Sequence, residues 1–203
     1  MVINSKEYWE ERFKNGSWIF MAGRNQSIYF MRLLLNNLLY DIYIDILNNC
    51  LSTLDEGCAV GDGTFCLSRA FPTSQVQGYD FSSEAIMQAK LFYTNINFTD
   101  KLNPDDKFDV VCCSNLLEHF KNPMYQIVTR LEMVNKYYII LVPYKDNLKC
   151  PEHFSSFDEN SFPDKLNDFT KIQSTIIKDI QKQYWDGYQL LVVYKKGFKG
   201  LIF

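Results

Sequence analysis

The sequence predicts an α/β fold, with a seven-stranded sheet that is mostly parallel, ends in an antiparallel C-terminal hairpin and is flanked by helices. Three observations carry that prediction. From residue 53 onward, short apolar runs alternate with amphipathic stretches, the pattern of strands returning to one sheet through helices. A glycine-rich turn follows the first of these runs, where a strand has to give way to its helix. The last two runs are joined by about ten residues, DIQKQYWDGY, with no pattern for a crossover helix. Strands connected that way suit antiparallel rather than parallel neighbours.

Residues 5–15 read as a helix, and 26–49 as a longer one with Ile28, Met31, Leu34, Leu35, Leu38, Leu39, Ile42 and Ile46 at helical spacing. Between them lies NGSWIFMAGRN, rich in turn formers and aromatics. Strands are expected near 52–56, 75–79, 95–98, 108–113, 137–142, 169–176 and 187–195. Helices are expected near 63–70, 82–92, 121–134 and 158–166. Ser82, followed by Ser83, Glu84 and Ala85, is a candidate N-cap with an acid in the first turn. The segment DKLNPDDK, between the third and fourth strands, is too short for a full helix. No repeat, low-complexity tract or linker divides the chain, so 1–203 reads as one domain.

Composition narrows the class. At 47% hydrophobic and 22% charged, the chain has the means to build a core and is not of the disordered type. A formal charge of −3 gives no general reason to expect nucleic acid as a partner. No run of about 18 apolar residues suggests a membrane span. The start, MVINSKEYWEERF, is polar and mixed in charge, unlike a signal peptide, which points to the cytoplasm. Six cysteines show no C-x-x-C pair and no zinc-ligand spacing, so no metal is expected and all six read as free thiols in a reducing compartment.

The most informative segment is Leu54-Asp55-Glu56-Gly57-Cys58-Ala59-Val60-Gly61-Asp62-Gly63. Glycines after a strand let the backbone approach a ligand closely. The dinucleotide spacing G-x-G-x-x-G is not met, since Ala59 stands at its second glycine and Gly61 comes a residue early. Asp55, Glu56 and Asp62 would also repel a pyrophosphate. Acids in such a loop suit a cationic ligand.

Asp-x-Gly-x-Gly-x-Gly after an apolar strand is the first motif of the class I S-adenosylmethionine-dependent methyltransferases. Residues 55–61 resemble it with one departure, Ala59 for the middle glycine. Val76-Gln77-Gly78-Tyr79-Asp80-Phe81-Ser82 resembles the family's second motif, and Phe108 to His119, FDVVCCSNLLEH, its fourth strand and the turn after it. HFSSFDENSF resembles the stretch before the last two strands. The likeness is to the small-molecule, methyltransferase type 11-like branch. It implies a Rossmann-like core over 51–203 and an N-terminal helical lid over 1–50, with S-adenosyl-L-methionine as cofactor and S-adenosyl-L-homocysteine as product.

Carried onto these residues, the resemblance implies a cofactor site of Asp55, Gly57, Cys58, Ala59, Gly61, Asp80, Phe81, Asp100, Ser114, Asn115 and Leu116. Asp80 would accept the ribose hydroxyls, Phe81 lie against the adenine and Asp100 bond its amino group. Ser114, Asn115 and Leu116 would face the methionine part. Arg24 is a candidate fork for the cofactor carboxylate, or else a solvated surface arginine.

Methyl transfer from a sulfonium asks for alignment and, for a hydroxyl acceptor, removal of a proton. His153 and His119 are the two histidines and the candidate bases; His119 has a rival reading as a cap in the Glu-His turn, and Glu152 is a weaker third candidate. Tyr8, Trp9, Trp18 and Tyr144 are expected at the acceptor, with Phe13 and Phe20 completing the aromatic mass of the N-terminal segment. The implied activity is O- or N-methylation of a small metabolite, such as a sugar, a nucleotide-sugar or a related surface-polysaccharide precursor. The alternatives are a catalytically inactive regulatory protein that binds the same cofactor, and a nicotinamide-dependent dehydrogenase. Oligomeric state is not specified by the pattern.

Overall fold

The computed structural model describes residues 1–197. Among these residues eight strands form one sheet: β1 (Ser52–Glu56), β2 (Gln75–Tyr79), β3 (Asn97–Thr99), β4 (Phe108–Ser114), β5 (Val134–Tyr144), β6 (Lys165–Leu166), β7 (Phe169–Ile177) and β8 (Tyr188–Lys196). The spatial order is β3-β2-β1-β4-β5-β8-β7-β6. β1 to β5 run parallel, and β8 enters antiparallel between β5 and β7. The expected antiparallel hairpin is therefore present, with the two-residue edge strand β6 added to the seven expected strands.

The helices are α1 (Lys6–Lys14), α2 (Ser17–Phe20), α3 (Gly23–Asn37), α4 (Tyr40–Asn49), α5 (Asp62–Ala70), α6 (Ser83–Phe92) and α7 (Pro123–Leu131). Alternation along the strands feeds a core on each face of the sheet. Val110 and Cys112 of β4 with Tyr137, Ile139 and Leu141 of β5 meet Phe30, Met31 and Leu34 of α3, Ile42 and Ile46 of α4, and Leu67 of α5. Their neighbours Val111, Cys113, Tyr138, Ile140 and Val142 meet Ile127 and Leu131 of α7 on the opposite face. Each fully buried Leu or Ile in these layers contributes roughly 1.5–3 kcal/mol.

Three sequence expectations change. The single helix over 26–49 is two helices, because Leu38 and Leu39 are extended. The Gln173 side chain fills that break: its amide N–H donates to the Asn37 carbonyl at 2.7 Å, and its oxygen accepts the Leu39 N–H at 3.1 Å. The helix expected at 158–166 is absent. Asp158 and Ser161 close a turn on themselves through side-chain hydrogen bonds, and Pro163 disfavours helical backbone before it. The segment expected to act as a lid divides: α3 and α4 are a layer of the core, with the first half of α3 also lining the ligand crevice, and the residues before Gly23 overhang it.

Candidate cofactor and acceptor site

In the order β3-β2-β1-β4-β5, the chain turns one way from β1 and the other way from β4, so a crevice opens beyond their carboxyl ends. A cavity of about 340 Å³ occupies that crevice. Residues 55–63 form one wall and 114–120 the other.

The first wall is held by backbone bonds. Gly57 and Cys58 N–H both donate to the Tyr79 carbonyl, at 2.8 and 2.9 Å. Gly57 has φ +74°, and a Cβ there would stand 2.8 Å from the Leu116 side chain, so only glycine lets the two walls close up. Ala59 occupies the left-handed region at φ +48°, the strain expected where the motif's middle glycine is replaced. Its N–H is nevertheless used, donating to Asp80 Oδ2 at 3.0 Å, while Asp80 Oδ1 accepts the Ser82 N–H at 2.9 Å. Asp80 therefore sits at the end of β2 with a fixed carboxylate, pushed up to about 6 by burial. Asp55 accepts a hydrogen bond from Thr64 Oγ1 at 2.7 Å and is pushed up to about 7, mainly by burial.

Of the acids that made the loop look suited to a cation, only Asp55 faces the cavity. Glu56 points to the opposite face and pairs with Arg130 at 2.7 Å. Asp62 pairs with Arg24 through both carboxylate oxygens. Burial favours the neutral forms of Asp55 and Asp80, and a positively charged ligand would reverse that preference. The cradle thus fits a ligand with hydroxyls for Asp80 and positive charge for Asp55, as S-adenosylmethionine has.

Asp55, Gly57, Cys58, Ala59, Asp80, Phe81, Ser114, Asn115, Leu116, Trp9, Trp18, His119 and His153 all line the cavity. Five other residues expected at the cofactor or the acceptor do not. Arg24 is occupied by Asp62 and lies over the Phe92 ring. Gly61 starts α5 and faces Phe98. Asp100 follows β3 outside the lining, and Tyr144 donates to Glu159 at 2.7 Å. Tyr8 stands behind the wall and donates to the cavity residue Glu152, which also pairs with Arg12.

The second half of the cavity comes from loops and the N-terminal segment. Trp18 lies against Gly23, where a Cβ would come within 2.4 Å of the indole. Glu10 fixes α1 by accepting the N–H groups of Ser83 and Glu84 and the Ser82 hydroxyl at the start of α6. His119 Nδ1–H donates to the Glu152 carbonyl at 2.9 Å, and burial holds the ring neutral, with its pKa down at about 4. His153 Nδ1 bonds Asp146 Oδ2 at 2.5 Å. The two imidazoles meet edge to face, 5.2 Å between centroids. Beside them Glu118 is 1% exposed, with burial pushing its carboxyl up to about 8. Asn4 Oδ1, Glu118 Oε2 and Trp185 Nε1 are buried at this cavity with no hydrogen-bond partner among the described residues. Such groups are costly to leave bare, and here they face ligand space.

Sequence reasoning left out Asn4, Arg12, Gln26, Ser27, Tyr184 and Trp185 of the lining. Nothing local marks them. They reach the site only because α1, α3 and the β7–β8 connection converge over the carboxyl ends of the strands.

The family described as "Methyltransferase domain" matches residues 54–134, the stretch from β1 to the start of β5. Among solved structures, the chain is similar to magnesium protoporphyrin IX methyltransferase from Synechocystis PCC 6803 with bound SAH, at 15% identity over 95% of this chain and 100% of that one (TM-score 0.66). It is similar to the plantazolicin methyltransferase BpumL in complex with a pentazolic analog and SAH, at 14% identity over 97% and 100% (TM-score 0.64). It is also similar to the [4+2]-cyclase SpnF, at 13% identity over 82% and 80% (TM-score 0.64). No curated protein matches it in sequence. The motif order from β1 to β5, the crevice it builds and the similar solved structures together give this chain the class I methyltransferase fold, with a methyltransferase-domain match over residues 54–134.

Proposed function

We propose that the chain methylates a hydroxyl group of a small polar metabolite. The observation that carries this reading is the pair His119 and His153, each with Nδ1 already engaged, which leaves Nε2 as the free nitrogen of each ring in the cavity wall. A hydroxyl acceptor needs help to lose its proton, and imidazoles with one nitrogen free at the acceptor are suited to that help. His153, oriented by Asp146, is the residue on which the acceptor's reactivity depends most.

When bound, S-adenosylmethionine supplies a methyl group on a sulfonium that is already an activated leaving group. The chain's own task is placement. Asp80 would hold the ribose hydroxyls, and Phe81 would flank the base. Ser114, Asn115 and Leu116 would line the methionine end, and Asp55 would balance its positive charge. Trp9, Trp18 and Trp185 exclude water, which strengthens each of these contacts. The unpartnered atoms of Asn4, Glu118 and Trp185 favour an acceptor with several hydroxyls over a purely apolar one. That supports sugars and nucleotide-sugars as the first acceptors to screen, with amines as the comparison.

The test is transfer of labelled methyl from S-adenosylmethionine to panels of hydroxyl and amine acceptors. O-methylated product from the wild type, with none from His153→Ala, would support the reading. Product only from amines would overturn it, and binding of cofactor with no product from either panel would favour the regulatory alternative.

A further inference from the structure

The sequence shows no metal-ligand spacing, yet the fold brings three donors together across a separation of 35 residues. A carboxylate oxygen of Glu118 and one ring nitrogen each from His119 and His153 lie within 4.8 Å of one another. We infer that Glu118, His119 and His153 form a site for a divalent transition-metal cation, placed in the acceptor half of the cavity to hold the acceptor's hydroxyl. The inference rests on the hydroxyl-acceptor reading and specifies how that hydroxyl is made nucleophilic.

Four features of the cluster support a cation. Two imidazoles and one carboxylate are a recurring ligand set for divalent metals, and three protein ligands leave positions open for substrate. Each histidine donates its Nδ1–H to a fixed acceptor, His119 to the Glu152 carbonyl and His153 to Asp146. That is the outer-shell arrangement that orients metal-bound histidines and leaves Nε2 as the ligand atom. Glu118 Oε2 is buried without a partner among the described residues, which a purely structural hydrogen-bond cluster does not explain. Charge balance agrees: Glu118 and Asp146 supply two carboxylates, while the nearby Arg12 is already spent on Glu152. A cation about 2.0–2.2 Å from each ligand requires donors no more than about 4.4 Å apart, so a small inward movement completes the shell.

The cation would lower the pKa of a hydroxyl bound at an open position, as metals do for bound water. The O–H proton then passes to bulk water and its electron pair stays on the oxygen. In the transfer, the new O–CH₃ bond forms as the C–S bond breaks, and that bond's electron pair returns to sulfur. His153 acts here as ligand rather than as direct proton acceptor, and Asp146 acts through it as a positioning residue.

The test uses the full chain stripped with a chelator and then titrated with Co²⁺ or Zn²⁺, followed by calorimetry and by the visible absorption of bound Co²⁺. One ion per chain is expected, with Mg²⁺ far weaker because imidazole favours transition metals. His119→Ala and His153→Ala should abolish the Co²⁺ spectrum, and Asp146→Asn should weaken binding about 10–100-fold. All three should still bind S-adenosylhomocysteine, which shows that they fold. Absence of Co²⁺ and Zn²⁺ binding by the wild type, or an unchanged Co²⁺ spectrum in His119→Ala, would overturn the inference. Equal O-methylation by stripped and metal-loaded protein would overturn it too, while leaving the hydroxyl reading standing. Metal binding lost in the variants, alongside acceptors that are all amines, would leave the site standing and remove the hydroxyl reading.

Discussion

The two halves of the cavity are built by different means. The half proposed for the cofactor is made from residues next to one another in sequence, at the ends of β1, β2 and β4, and backbone hydrogen bonds tie it to the sheet: Gly57 and Cys58 to Tyr79, Asn115 to Leu141. Its carboxylates already have protein partners, Thr64 for Asp55 and the backbone of Ala59 and Ser82 for Asp80. The half proposed for the acceptor is assembled from Asn4, the turn after β4, the loop after β5 and the loop before β8, and it is there that Asn4, Glu118 and Trp185 leave polar atoms unmatched among the described residues. A site that must hold one invariant ligand can be finished in advance. A site that must select an acceptor keeps its last hydrogen bonds for that acceptor.

The sharpest way to separate the halves is His153→Ala. Turnover with a hydroxyl acceptor is expected to fall roughly a hundredfold or more, while calorimetry finds cofactor affinity unchanged. A matching loss of cofactor affinity would mean that the halves are not independent. Asp80→Ala is the converse, expected to weaken S-adenosylmethionine binding by about 1–3 kcal/mol, or about 5–150-fold, through loss of a charged acceptor. Unchanged affinity would remove Asp80 from the cofactor site.

Arg24→Ala tests the cofactor half from outside. Asp62 is fully buried and Arg24 is its ion-pair partner, so the variant should lose stability in a denaturant titration. The loss should be about 1–3 kcal/mol, reduced from that of a deeply buried pair because Arg24 is about a third exposed. Selective loss of cofactor affinity without loss of stability would instead return Arg24 to the role of carboxylate fork.

Acidity offers a gentler contrast. Asp55, Asp80 and Glu118 carry folded pKa values raised to about 7, 6 and 8. A raised carboxyl holds its proton in the folded state after the unfolded chain has lost it, so its contribution to stability is present at low pH and is lost as pH rises through the folded value. Their share of ligand-free stability should therefore decline between about pH 4 and 8. A cationic ligand opposes this for Asp55 and Asp80, so S-adenosylmethionine should raise the melting temperature more at pH 8 than at pH 5.5. An equal increment at both pH values would show that these acids do not sense the ligand's charge. The smallest change is Ala59→Gly, which relieves the left-handed strain and should stabilise the chain by up to about 1 kcal/mol in chemical denaturation.

Much of the sheet was legible because strand ends in this class of fold carry local signals. The apolar runs at β1, β2, β4, β5, β7 and β8 stand where they were expected, and the ten-residue connection foretold antiparallel entry of β8. What misled were features without a local signature. The helical periodicity of 26–49 runs through a break that is set by Gln173, more than 130 residues away. The acid run 55–62 looks like one electrostatic unit, yet the fold sends Asp55, Glu56 and Asp62 to three different surroundings.

The sequence by itself determined the class of sheet and the crevice, and pointed to the cofactor proposed for it, since residues that follow one another along a strand and its turn must meet the same ligand whatever lies elsewhere. The tertiary structure alone decided that Arg24 serves Asp62 and that His119, His153 and Glu118 converge. Those contacts join segments far apart in the chain, and only the packing of loops and N-terminal helices over the sheet sets the distances between them.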